Sequence, residues 1–192
     1  MGHLSAGLTQ LARLPDTTER AKQELALYRL LGQASFAARG YASPEAKAAF
    51  SRARELCAAL DDSVNVSPVL FGVWLFELAG ANHDEAMITA TEVLAQAQPT
   101  SSAGALIAGN LSEGISRLHI GTAARARSYF AAAVDCYRSM NDVDALRIAY
   151  DYGIDLGAPS YGYGAWCLLA AWICGRDFAN GAIGYCRMTI KY

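Results

Sequence analysis

The sequence predicts an all-α fold, a right-handed α-α superhelix of about four helix-turn-helix units with a period near 40 residues, and three observations predict it. Apolar residues make up 53% of the 192-residue chain, and much of that share is alanine, the strongest helix former and small enough to let helices approach closely. A triad recurs: Ala46, Phe50 and Ala53 align with Ala86, Ala90 and Val93, then with Ala126, Phe130 and Ala133, each set 40 residues after the last. A glycine precedes each triad, at Gly40, Gly80 and Gly121.

Spacing of four and then three residues puts the members of a triad on one helix face. Small residues at its ends admit a neighbouring helix and a larger middle residue fills the gap. The glycine falls where one helix stops and the next begins, a position that often needs left-handed backbone angles. Each unit therefore reads as helix, tight turn, helix. One such pair cannot bury its apolar face alone, so the units are expected to stack.

In chain order the pattern predicts a helix at about 3–13, then pairs 17–38 with 44–60, 67–79 with 83–97, and 102–119 with 122–139. Ser43 followed by Pro44 is a capping residue with proline at the first helical position. Asp16 with Glu19, and Asn82 with Glu85, resemble capping boxes, and Thr122 is placed to cap its helix. A further helix is expected at about 142–150 and a last one at about 164–174, with the glycine-rich stretch 151–164 between them as a long loop. No stretch alternates long enough to suggest a sheet. The repeat domain is expected over residues 1–178 and an irregular tail over 179–192. A chain that opens almost inside its first helix and loses its pattern near residue 179 is expected to be a fragment of a longer protein.

Charge and cysteine content narrow the function. Net charge is -2, with the basic residues scattered singly, so neither a nucleic acid nor a membrane is expected as partner. Cys57, Cys136, Cys167, Cys174 and Cys186 include no CxxC pair, and no histidines stand at ligand spacing, so buried free thiols are expected and no metal or cofactor. No signal peptide precedes the first helix and no apolar run approaches the roughly 20 residues that span a bilayer, which points to the cytoplasm.

The third unit resembles the tetratricopeptide (TPR) pattern: Gly114, Gly121, Ala126, Phe130 and Ala133 hold its small and aromatic residues at their usual mutual spacing. The other units carry one extra residue between glycine and alanine, and the period exceeds the usual 34 of that family. Residues 14–21, 40–45, 53–57, 69–74 and 164–172 are similar to the C-terminal TPR-like array of large bacterial signalling proteins. Those proteins join a class III adenylate/guanylate cyclase domain and an AAA-type ATPase domain to the array, and the likeness covers roughly residues 5–178. It implies a regulatory or protein-interaction module whose partner is a protein, a peptide or another domain of a parent chain. It does not imply an enzyme, because no stretch resembles the cyclase domain and no phosphate-cradling G-x-x-x-x-G-K-[ST] loop is present.

Candidate contact residues follow from the register. Glu77 interrupts the apolar run from Val69 to Leu78, where an unpaired carboxylate is costly to bury. In a TPR-like unit the first helices line a groove, and the register places Trp74 and Glu77 toward it, with His119 at a similar place in the third unit; an ion pair to a neighbouring repeat would explain Glu77 equally well. Asp151 and Asp155 read as a solvated turn rather than a catalytic carboxylate pair, and Trp74, Trp166 and Trp172, in apolar helices, as more often core than ligand platforms. The turn at Gly121 and Thr122, with Arg125 and Arg127 nearby, is a helix N-terminus of the kind that attracts anions. Aromatics at Tyr161, Tyr163 and Trp166 leave open a second reading, a superhelix that senses a small molecule in its groove.

Overall fold

The computed structural model describes the backbone of residues 2–100 and 102–179, and the side chains of all of these but 99, 100, 171 and 173–179. Among the described residues every regular element is a helix: α1 (Gly2–Leu11), α2 (Thr18–Arg39), α3 (Pro44–Leu60), α4 (Val66–Ala79), α5 (His83–Thr100), α6 (Ala103–His119), α7 (Ala123–Arg138), α8 (Asp142–Tyr152) and α9 (Gly157–Ala179). Helices α2 and α3, α4 and α5, and α6 and α7 form closely packed hairpins; α5 also packs on α6 and α3 on α4.

All nine triad residues are buried, none more than 2% exposed. Their partners are notches in neighbouring helices. A Cβ on Gly32 of α2 would meet the Phe50 ring at 2.5 Å, and one on Gly72 of α4 would fall inside the same ring's envelope. Phe50 is thereby seated between its own hairpin and the next. A Cβ on Gly114 would lie 2.7 Å from Phe130, so the third hairpin repeats the arrangement. The second inverts it: Trp74 stands 40 residues before Gly114, and Ala90 stands 40 before Phe130. The bulk has moved from the second helix to the first, which conserves volume.

The turns match the expectation in two units and depart from it in one. Gly40 and Gly121 have φ of 87° and 81°, as the junctions require. Gly80 has φ of -79°, and the left-handed residue of that turn is Ala81, at 58°. Ala81, not Gly80, is the counterpart of Gly121 at the 40-residue period. Both turns close with the same long bond, from Asn82 N to Glu77 O and from Thr122 N to Arg117 O, at 2.9 and 2.8 Å.

Caps were partly misplaced. Ser43 caps α3 as expected, accepting from Ala46 N. The cap of α2 is Thr17 rather than Asp16, accepting from Arg20 N. Thr122 makes no side-chain cap; its hydroxyl donates to Arg117 O at 3.0 Å instead.

The expected glycine-rich loop is mostly helix, because α9 begins at Gly157 rather than near 164. Three interactions outweigh the weak helix propensity of Gly157, Gly162 and Gly164. Asp155 Oδ1 accepts from Gly157 N at 2.8 Å and holds the first turn. The Tyr137 ring of α7 occupies the space that a Cβ on Gly157 would need, while Tyr163 stacks on Phe130 with centroids 5.9 Å apart. The expected irregular tail lies outside the described residues except for Ala179, which ends α9.

Two substitutions test this packing. Ala81→Gly relieves the left-handed alanine and is expected to raise stability by about 1 kcal/mol in denaturant unfolding. Gly72→Ala drives a methyl into the Phe50 ring and is expected to cost about 1–3 kcal/mol in the same measurement.

Candidate functional site

The end of α8 crosses the first helices of the three hairpins. The Tyr152 hydroxyl and Ser67 Oγ of α4 lie 2.9 Å apart, and the Tyr152 ring meets Phe71 edge-on at 5.5 Å. Asp151 pairs with Arg29 of α2 at 3.2 Å, and the Asp151 carbonyl accepts from Gln33 Nε2 at 2.9 Å. Gly104 of α6 lies beneath Ile148 and Tyr152. Asp151 and Asp155 therefore have separate structural partners, an arginine and a helix N-terminus.

The three expected contact residues lie in three different settings. Trp74 is a correction: it is 1% exposed, its indole N–H donates to Ser116 Oγ at 2.9 Å, and its ring packs on Phe71. The apolar register that suggested a groove instead puts this ring in the core between α4 and α6, out of a partner's reach. His119, half-buried, stacks on His83 of α5 with ring centroids 4.9 Å apart. Burial and the neighbouring His83 hold its pKa below the ordinary histidine value.

Glu77 does line a groove, though not one between first helices. It faces the second helices α3 and α5, in a hollow of about 510 Å3 bounded also by Lys47, Arg54, Phe76, Asn82 and Glu85. One of its oxygens, Oε2, is buried and has no hydrogen-bond partner. Burial is the main cause that raises its pKa; the repulsion of Glu85 and Glu92 adds to it, while the Thr89 hydroxyl and Arg54 act against it. Beyond the exposed Arg54–Glu92 ion pair at 2.7 Å, a second hollow of about 510 Å3 continues between α3 and α5.

A polar cluster that sequence reasoning missed occupies the third hairpin. Glu113 is 2% exposed and accepts from the Thr91 hydroxyl at 2.9 Å. Its Oε2 lies 2.8 Å from Arg117 Nε, close enough for an ion pair, although the N–H is not aligned for a hydrogen bond. The Arg117 guanidinium also sits over the Tyr129 ring at 5.0 Å. The signal was present as an i, i+4 acid–base pair inside an otherwise apolar helix.

The remaining candidates have structural surroundings. Cys57 and Cys167 are buried free thiols and Cys136 is half-buried; desolvation pushes Cys57 up to about 11, far from thiolate chemistry at neutral pH. Trp166 and Trp172 are exposed rather than core, at 37% and 58%. Among the described residues no group of three or more His, Cys, Asp or Glu could hold a metal ion, and no helix is long and apolar enough to cross a membrane. None of the family models, curated proteins or solved structures compared with the chain matches it.

The raised pKa of Glu77 has a sign that can be checked. A carboxyl whose folded pKa exceeds its unfolded value favours folding while protonated, and that advantage is lost as pH rises from about the ordinary value of 4.5 through the raised one. Glu77→Gln is therefore expected to melt at a higher temperature than the parent at pH 7. Its advantage should shrink on acidification toward pH 4, as followed by circular dichroism; no difference at pH 7 would contradict the unpaired burial.

Proposed function

We propose that the chain is a non-catalytic, TPR-like interaction module, a short right-handed superhelix of stacked helical hairpins that holds a segment of another protein or another domain of its own parent chain. The observation that carries this reading is the threefold burial of one triad against neighbouring helices, which is how a repeat array builds a long continuous surface from small units. The likeness to the arrays of bacterial cyclase–ATPase signalling proteins supports a regulatory role in the cytoplasm, with the present residues as a fragment of such an array. The alternative of a small-molecule sensor rested on Tyr161, Tyr163 and Trp166. Tyr161 and Tyr163 are engaged with Tyr137 and Phe130 of α7, so they serve the α7–α9 contact, and the interaction reading is preferred.

Selection of random displayed peptides on the immobilised chain, followed by calorimetric titration of the purified winners, tests the proposal. Saturable one-to-one binding is expected. A chain that melts cooperatively as a helical protein yet enriches no peptide would overturn it.

A further inference from the structure

The two slots that Glu77 and Arg117 occupy are the same position of the repeat, 40 residues apart. Thr89 and Tyr129, which face them from the second helices, are also 40 apart. In the third hairpin the charge in the slot is neutralised within the chain, since Arg117 lies against Glu113 one turn earlier, as an ion pair without an aligned hydrogen bond, and is covered by Tyr129. In the second hairpin the residue one turn earlier is Val73, so the helix offers Glu77 no counter-charge. The Thr89 hydroxyl acts only to lower its pKa, and Oε2 is left buried without a hydrogen-bond partner. Glu77 as a whole is half-buried, so the penalty falls on that one oxygen, and a cation brought against it would relieve it.

The surroundings of Glu77 show where a cation would come from. Lys47, on the same hollow, is held over the Phe76 ring at 5.2 Å, and Arg54 is engaged by Glu92. The first hollow carries Glu55, Glu77 and Glu85 and the second Asp61, Asp62 and Glu92. Glu55 is paired with Arg52 at 2.9 Å and Asp62 accepts from Val64 N and from Asn65; against the other four carboxylates the two hollows have Lys47 and Arg54. The Arg54–Glu92 pair that divides them is exposed, and such pairs contribute little to stability, so it can open at small cost and join the hollows into one groove along α3 and α5.

Resting on the interaction reading above, we propose that this acidic groove on the second-helix side binds a basic, extended segment of a partner protein, with a lysine or arginine side chain inserted against Glu77 and Glu85. The incoming cation takes the place that Glu113 and Arg117 fill for each other in the next hairpin. A second basic residue reaches Glu92 or the Asp61–Asp62 end when Arg54 swings away.

Fluorescence anisotropy with three short labelled peptides, alternating alanine with arginine, glutamine or glutamate, tests this at physiological salt. The arginine peptide is expected to bind the wild-type chain saturably and the glutamate peptide not at all. Glu77→Gln/Glu85→Gln, which changes charge but hardly shape, should weaken the arginine peptide by at least about tenfold. A charge-matched control on other helices, Glu19→Gln/Asp142→Asn, should change it by less than about twofold. Equal losses in both double variants would mean diffuse electrostatic attraction, and no binding by the arginine peptide would remove the groove as a basic-segment site; either result overturns the proposal. If peptides selected by display still bind in that case, the interaction module stands and only this assignment of its partner falls.

Discussion

The interaction on which the rest of the structure depends is the seating of a second-helix triad into glycine-sized notches. Phe50 is the clearest instance: its ring fills space left by Gly32 in its own hairpin and by Gly72 in the next, so one side chain joins two units. Protein interiors are close-packed, and a ring of this size leaves no room for a methyl group at either glycine. The same constraint acts between α5 and α6, where a Cβ on Gly109 would meet the Leu94 Cα at 2.7 Å. Where the second hairpin breaks the rule it does so in a compensated way, with Trp74 large and Ala90 small. What the repeat preserves is therefore the volume shared by two helices rather than the identity of either residue.

This constraint accounts for what could be read from the sequence and what could not. The triads at residues 46–53, 86–93 and 126–133 were legible because period and residue size are both local properties of the chain. The α9 start at Gly157 was not, because it depends on Tyr137, which lies in another helix and fills the space over that glycine. Local propensity argued for a loop, and tertiary contact prevailed. The left-handed turn residue at Ala81 was misread for the opposite reason: glycine one position earlier is the conventional signal, but the hydrogen-bonded turn needs its positive φ one residue later. The crossing of α8 over the first helices joins Asp151 to Arg29, residues 122 positions apart, and no short-range pattern contains such a contact.

The candidate site shows a similar division. That Glu77 is anomalous was legible, since a carboxylate within the run from Val69 to Leu78 demands an explanation. Its direction was not, because the side of α4 it faces depends on which neighbours are already filled. Tyr152 and Trp74 occupy the first-helix side, with hydrogen bonds to Ser67 and Ser116. That side is built as core. Room is left on the opposite side, between α3 and α5, and Glu77 opens onto it.

Comparison of equivalent positions then separates structural charge from charge held for another purpose. Arg117 and Glu113 show that this fold can place a charged group at the Glu77 position and neutralise it with a residue one turn earlier in the same helix. The second hairpin has the space for the same solution, since Val73 occupies the corresponding place, but not the residue. A glutamine at position 77 would preserve the size and the hydrogen-bonding capacity while removing the charge that burial disfavours. The chain instead keeps a carboxylate whose pKa is raised by that burial, beside a groove whose other charged lining groups are mostly acidic. A folding role alone gives no physical reason for that combination. Recognition of a cation does, because the unpaired charge that weakens the free chain is the charge that a basic partner neutralises on binding.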